Sequence, residues 1–300
     1  MISVIIPTHN RCNVLERAVK SVQRQKYTDI QIIIVSDGST DNTKQVVEEL
    51  SKFDSRIEFV EYFPAMGGNY ARNKGIELSK GKYVAFLDDD DEWLDEKLDV
   101  QLKLIESDNE MGLVYTDVNI IYEKDKINYI TKSSHNGDLR KEILLGNCIS
   151  TTSSVLIKKE VFNDIGIFDN NLKALQDYDL WIRICQSYKV GLIPKPMLNY
   201  YNDINSNQIS SVTEKYINAW KYIEKKYDNL FSVLSTKEKK ARKVNIYYDL
   251  IIRSIRNNNK KLAKQYARQL MKLSFLNGIK MYVISLLKFE TLLKMRSRKN

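Results

Sequence analysis

Short apolar runs alternate with amphipathic stretches through residues 1–110, and that alternation constrains the fold more than any single residue does. Ser3–Pro7, Ile30–Val35, Ile57–Tyr62 and Tyr83–Leu87 read as strands. Between them, Val14, Leu15, Ala18, Val19 and Val22 recur at helical spacing, as do Val46, Val47 and Leu50. Thr40 is placed to cap the second of these helices, Tyr70–Leu78 fits a short one, and Leu94–Ile105 carries Leu98, Leu102 and Ile105 on one face. Strands alternating with helices build βαβ units and a mostly parallel sheet. From Gly112 to about Tyr201 the pattern is mixed. Strands are expected at Leu113–Thr116 and Ser154–Ile157, a hairpin from Asn119–Tyr122 and Ile127–Thr131, and helices near Leu139–Leu145 and Asp177–Ser187. Asn202–Ser211 is polar and reads as a linker. Beyond it the pattern is helical, first around Trp220, Ile223 and Tyr227, then over about 236–257, 260–274 and 276–296.

Composition narrows the chemistry. With 300 residues and 43% hydrophobic content the chain can bury a full core. Three cysteines, Cys12, Cys148 and Cys185, lack metal-like spacing and read as free thiols of a reducing compartment. Only two histidines, His9 and His135, leave little material for a zinc site or a Ser-His-Asp triad, so any metal should be held by carboxylates. Ile2–Pro7 is too short and lacks the basic lead-in of a secretory leader, and no apolar run spans a bilayer. The expected location is cytoplasmic, or peripheral on the cytoplasmic face of a membrane.

The strongest chemical signal is Asp88-Asp89-Asp90-Asp91-Glu92, directly after the apolar strand residues Phe86 and Leu87. Adjacent carboxylates repel one another unless a cation lies among them, and the carboxyl ends of strands are where open α/β sheets bind ligands. Mg2+ or Mn2+ takes one or two protein carboxylates and completes its shell with water and phosphate oxygens. A helix N-terminus, with Asp91 as cap and Glu92 and Asp95 in the first turn, accounts for the later acids but not for Asp88 to Asp90.

Three weaker segments accompany it. Asp37-Gly38 follows a strand, and its carboxylate can accept hydrogen bonds from a base or ribose; an Asp-Gly turn explains it equally well. Gly67-Gly68 precedes a helix that carries Arg72, a partner for a diphosphate or for the acidic run. In Gln176-Asp177-Tyr178-Asp179-Leu180-Trp181, Asp179 has an i,i+4 partner in Arg183. Asp177 has no such partner and shares a helix face with Trp181, as a general base beside a sugar-stacking ring would, although an N-terminal Asp that suits the helix dipole is the plainer account.

Taken in order, these segments resemble glycosyltransferase family 2. They are Val4-Ile5-Ile6-Pro7-Thr8-His9-Asn10, Val35-Ser36-Asp37-Gly38-Ser39-Thr40-Asp41, Ala71-Arg72-Asn73-Lys74-Gly75, Phe86-Leu87-Asp88-Asp89-Asp90-Asp91 and Gly166-Ile167-Phe168-Asp169 with Asp177–Trp181. The resemblance spans roughly residues 1–202. It implies the α/β GT-A fold, a Rossmann-like, mostly parallel sheet flanked by helices. Here residues 1–110 would form the nucleotide-sugar half, 111–202 the acceptor half and 203–300 a basic helical extension.

It further implies an inverting transferase that uses a nucleotide sugar, most often a UDP-sugar, with Mn2+ or Mg2+, and a glycan or lipid-linked acceptor. By position, Pro7, Thr8 and Asp37 would contact the base, and Arg72 the base or diphosphate. Asp88 would face the ribose, with Asp89 beside it, Asp90 would hold the metal and Asp177 would be the base. Gln176 and Trp181 would lie on the acceptor side. The family commonly has Glu-Asp where this chain has Gln176-Asp177, a departure that changes the charge next to the base.

Charge is divided along the chain: net −6 over residues 1–200 and +15 over 201–300. Residues 260–300 hold eleven Lys and Arg against the single acid Glu290, with Ile279, Val283, Leu286, Leu287 and Leu293 at helical spacing. A basic amphipathic helix suits an anionic membrane surface. Helices packing their apolar faces on the rest of the protein explain the same stripe. No nucleic-acid-binding motif accompanies the charge. Three rivals to the transferase are a nucleotidyltransferase, which leaves Asp177–Trp181 without a task, a non-catalytic binding protein of the same fold, which Gln176 favours, and an interaction module whose main function rests on the basic tail 260–300.

Overall fold

A computed structural model describes residues 1–202 and 213–298. The expected linker falls almost wholly on 203–212, outside the described residues. Strands β1 (Ile2–Thr8), β2 (Ile30–Asp37), β3 (Ile57–Tyr62) and β4 (Tyr83–Phe86) are parallel to one another. Every residue of β1, β2 and β4 is buried, as expected of strands covered by helices on both faces. Helices α1 (Cys12–Gln23), α2 (Thr43–Ser51) and α3 (Gly68–Leu78) make the connections. Because β1 has β2 on one side and β4 on the other, the chain changes direction at β1/β4. A crevice opens there at the strands' carboxyl ends, where Thr8, Asp37 and Asp88 emerge.

The second half extends the same sheet. Its strands are β5 (Glu92–Trp93), β6 (Met111–Tyr122), β7 (Ile127–Thr131), β8 (Leu156–Lys158) and β9 (Lys189–Tyr201). The order is β3-β2-β1-β4-β8-β6-β9-β5, with β7 paired to β6 as the predicted hairpin. Helices here are α4 (Lys97–Glu106), α5 (Glu142–Leu145), α6 (Val161–Ile165) and α7 (Gln176–Ser187). β9 carries no expectation from the sequence. Its 13 residues pair parallel with β6 through irregular register, and Pro194 and Pro196 interrupt the apolar pattern that marks a strand.

Two capping expectations are corrected. α2 starts at Thr43, and Asp41 rather than Thr40 receives its first N–H, Thr43 N, at 3.0 Å. Thr40 N–H instead donates to Asn10 Oδ1 at 2.7 Å, tying the two loops together. α4 starts at Lys97, so Asp91 caps nothing. The chain first runs as β5 along β9, which leaves Glu92 and Asp95 to pair with Arg24.

The C-terminal helices are α8 (Thr213–Lys226), α9 (Asp228–Ser232), α10 (Thr236–Arg256), α11 (Lys260–Leu273), α12 (Phe275–Ile284) and α13 (Phe289–Ser297). Ser235 and Glu238 close a capping box at the start of α10. Trp220 and Ile223 of α8 and Ile246 and Leu250 of α10 lie in one core cluster with Phe86, Tyr178 and Trp181. The single helix expected over 276–296 is two. Residues 285–288 break it, and Leu293 of α13 packs on Tyr122, Ile127 and Tyr129 of the β6–β7 hairpin. All three cysteines are free. No helix among the described residues is long and apolar enough to cross a membrane.

Candidate active site

The crevice at β1/β4 is a cleft of about 1070 Å³. Pro7, Thr8, Arg11, Asp37, Arg72, Asp88, Asp89 and Asp90, from the strand-end loops and α3, line it together with Gln176, Asp177, Tyr216, Trp220, Asn245, Asp249, Arg253 and Arg256, from α7, α8 and α10. Every candidate from the sequence therefore reaches the cleft except Trp181. That ring is fully buried among core residues and presents no plane to a sugar.

The base-side loop is held by Asp37. Its carboxylate accepts Met66 N–H at 2.6 Å and Gly67 N–H at 2.8 Å, and its carbonyl meets His9 Nδ1 at 2.5 Å. Gly38 sits at φ +65°, where a Cβ would come within 2.7 Å of Ala65 N, so only glycine lets the loops approach this closely.

Each acid of the 88–91 run has a different environment. Asp88 Oδ1 receives Arg72 Nη2 at 2.6 Å. Arg11, which sequence reasoning missed, spans Asp89 Oδ1 at 3.0 Å and Asp90 Oδ2 at 2.6 Å. Arg17 steadies the same loop by donating to the Asp90 carbonyl at 2.7 Å. Asp91 faces inward, fully buried, and accepts Ser153 Oγ–H at 2.6 Å, while that oxygen accepts Asp88 N–H at 3.0 Å. Burial pushes the Asp89 carboxyl up to about 6, with Arg11 opposing and Asp90 and Asp88 adding repulsion. Asp90 is also raised, by burial and then by Asp88 against the pull of Arg11. The loop remains short of positive charge even with two guanidinium groups on it. That shortage was the available signal for Arg11, an arginine only three residues past Thr8.

Arg72 is itself clamped. Asn73 Oδ1 accepts Phe168 N–H at 2.9 Å and its amide donates to Phe168 O at 2.9 Å, while Asn69 donates to Asp169 O at 2.8 Å. Phe168 then packs edge-on to Phe86 at 5.3 Å, with the Arg72 guanidinium 5.7 Å above its ring. The Ala71–Gly75 and Gly166–Asp169 segments are thus two faces of one joint behind the cation.

Asp177 is the second residue of α7, which follows Leu175, whose left-handed backbone (φ 57°) is uncommon outside glycine and characteristic of functional sites. Burial raises the Asp177 carboxyl above its usual range, opposed by the Tyr178 N–H and by the positive charges of Arg253 and Arg72. Asp179 is fully buried and structural, paired with Arg183 as the spacing predicts and also with Lys226. Arg253 stacks 3.3 Å over Tyr216 and donates to Asp249 at 2.7 Å, and Asp249 also accepts Trp220 Nε1–H at 3.2 Å. Asn245, Asp249, Arg253 and Arg256 form a polar stripe along α10, readable as helical spacing but not assignable to the cleft without its packing.

The family model for glycosyl transferase family 2 matches residues 3–166, more than half of the chain. The chain belongs to this family. An uncharacterized glycosyltransferase of Haemophilus influenzae is 28% identical over 289 residues, covering 95% of this chain and 94% of the relative. The amylovoran biosynthesis glycosyltransferase AmsB of Erwinia amylovora is 34% identical over 209 residues, 66% of this chain and 69% of the relative. A Rickettsia conorii glycosyltransferase is 33% identical over 224 residues, 74% of this chain, but this chain spans only 35% of its length.

Two solved structures share the fold. The mannosyltransferase PcManGT of Pyrobaculum calidifontis, in complex with GDP-Man and Mn2+, has a TM-score of 0.63 at 14% identity, covering 99% of this chain and 84% of that one. S. aureus TarS 1–349 in complex with UDP-GlcNAc has a TM-score of 0.61 at 15% identity, covering 100% and 92%. The protein is a GT-A glycosyltransferase with a mixed, helix-flanked sheet and a helical C-terminal region. The family match ends before α7, so Asp177 and the α8–α10 wall lie beyond it.

Proposed function

We propose that this family 2 enzyme is an inverting, divalent-metal-dependent glycosyltransferase of the hexosyltransferase type. It moves a sugar from a UDP-sugar to a hydroxyl of a glycan or lipid-linked acceptor, in surface polysaccharide or glycan synthesis. One observation carries the reading: the charged residues Arg11, Arg72 and Asp88–Asp90 line a single cleft together with Asp177. The family relation to an amylovoran biosynthesis enzyme supports the polysaccharide setting.

The acidic loop fits a divalent ion. Burial holds the Asp89 and Asp90 carboxyls up despite Arg11, so two carboxylates at the cleft keep an unmet demand for positive charge. That suits an ion that keeps water and takes substrate phosphates as ligands. Asp90 would hold it, and when bound, Mn2+ or Mg2+ supplies Lewis-acid neutralisation of charge on the diphosphate.

The chain's own residues then divide the work. Pro7, Thr8 and Asp37 form the slot for the base, and Asp88, set by Arg72, faces the ribose with Asp89 beside it. Asp177 takes the acceptor proton as that oxygen attacks the anomeric carbon opposite the diphosphate. Arg72 and Arg11 face the charge that grows on the leaving group. A single displacement through an oxocarbenium-like state inverts the centre, so an α-linked donor gives a β-linkage. Gln176, at the mouth of α7, contacts the acceptor.

Isothermal calorimetry with UDP, with and without Mn2+, tests this against an Asp90→Ala control. Metal-dependent binding that the control loses is the expected result. Binding of GDP in place of UDP would move the donor to the class seen with the mannosyltransferase. Failure with every nucleoside diphosphate would replace the enzyme with a non-catalytic member.

A further inference from the structure

The basic C-terminal stripe divides in two in the folded chain. Leu293 turns inward against the β6–β7 hairpin, so part of the stripe serves packing. The part on α12 does the opposite. Phe275 is 66% exposed, Leu276 80%, Ile279 41% and Val283 56%, and Leu286 just past the helix end is 48% exposed. At about 100° per residue, the first four fall within an arc of roughly 100°. Gly278 and Met281, the buried residues of α12, lie on the far side of the helix.

That inner side is pinned to α11. A Cβ on Gly278 would come within 2.4 Å of the Met271 backbone and 2.3 Å of its Cγ, so the two helices meet where only glycine leaves room for Met271. α12 therefore cannot roll to bury its outer residues without losing this contact. The apolar face is held outward by the fold.

Its surroundings carry one sign of charge. Lys272, Lys280 and Lys288 are exposed around it, and between residues 250 and 289 the chain has no acid at all. We propose that α12 is a membrane-docking surface, lying in the plane of an anionic lipid bilayer with Phe275, Leu276, Ile279 and Val283 in the acyl boundary and the lysines at headgroup phosphates. A ten-residue helix is about 15 Å long, half the hydrocarbon thickness, so it lies in the interface and does not cross. Two copies meeting through this face would bring their lysine rims together, a repulsion that anionic headgroups convert into attraction. Apolar burial and lysine–headgroup attraction then act on one short helix, the combination interfacial helices need. The inference goes beyond the donor and metal assignments and stands whatever nucleotide the cleft takes.

Vesicle flotation of the full chain tests it, with phosphatidylcholine vesicles against vesicles of phosphatidylcholine and phosphatidylglycerol in equal parts. Flotation with the anionic vesicles alone, weakened by added salt, is expected. The double variant Phe275→Ser with Leu276→Ser should cut the partition at least tenfold, as should Lys272→Glu with Lys280→Glu. All four positions are exposed, and unchanged thermal melting and UDP binding would show that the variants fold. No flotation of the wild type, or equal flotation of all variants, overturns the proposal. So does a concentration-dependent dimer that the serine variant abolishes while vesicle binding is absent, because the face would then belong to a second copy.

Discussion

The two walls of the cleft solve the problem of buried charge differently. On the donor wall, carboxylates and guanidinium groups are interleaved: Arg72 on Asp88, Arg11 across Asp89 and Asp90. On the proposed acceptor wall Asp177 has no side-chain ion pair among the described residues, and Arg253, the cation that bears on it most, is already committed to Asp249. The donor wall is arranged to hold a polyanion once more positive charge arrives. On the proposed reading, the acceptor wall keeps one carboxylate basic by partly burying it, with the pull of Arg253 too weak to offset that burial. A site that must grip a diphosphate and also take a proton needs both solutions within one cavity, and they come from different parts of the chain.

The contrast can be broken most sharply at Asp177. Asp177→Asn should lower kcat about a thousandfold, the usual scale of general-base catalysis, while calorimetric UDP affinity holds. Retained turnover would remove Asp177 from its role. Next in size, Arg11→Gln takes a charged partner from the donor wall. It should weaken UDP–Mn2+ binding about tenfold and strengthen binding of Mn2+ alone, because Asp90 is freed. Weaker Mn2+ binding in that variant would mean that Arg11 organises the loop and does not compete with the ion.

Asp249→Asn should raise the acceptor KM severalfold and leave the donor KM unchanged, since it loosens Arg253 and Trp220 on the opposite wall only. An equal change in both constants would show that the walls are not separable. The smallest effect is on pH. Asp177 must be ionised to accept a proton, so kcat should fall as pH drops through its raised pKa. Arg253→Gln removes a positive charge and Gln176→Glu adds a negative one, so each should move that acidic limb to higher pH by less than about one unit. A shift to lower pH in either variant contradicts the electrostatic account.

The same contrast explains what could be read in advance. The donor wall was legible because its residues sit at the ends of strands, within a few positions of the apolar runs that announce them. Four consecutive aspartates leave little room for a purely structural account, although the inward turn of Asp91 onto Ser153 depends on β8 arriving antiparallel beside β4. The proposed acceptor wall was legible only at Gln176 and Asp177. Trp181 shares the helix face of Asp177 by spacing, yet that ring is fully buried in the core, and spacing alone does not reveal which helix face a neighbour covers. Asn245, Asp249 and Arg253 lie nearly seventy residues or more beyond Asp177, so only long-range packing brings them to the cleft. β9 escaped notice because its two prolines and irregular register mask the alternation that marks a strand.

One consequence follows from the core shared by Phe86, Trp181, Trp220 and Leu250. The helices that shape the acceptor wall also seal the interior beneath it. If these helices bind the acceptor as proposed, acceptor preference is not a detachable module. Grafting α8–α10 from another member would import a new wall and a mismatched interior together. Exchanging single residues along the Asn245–Arg256 stripe is the change that the fold would tolerate.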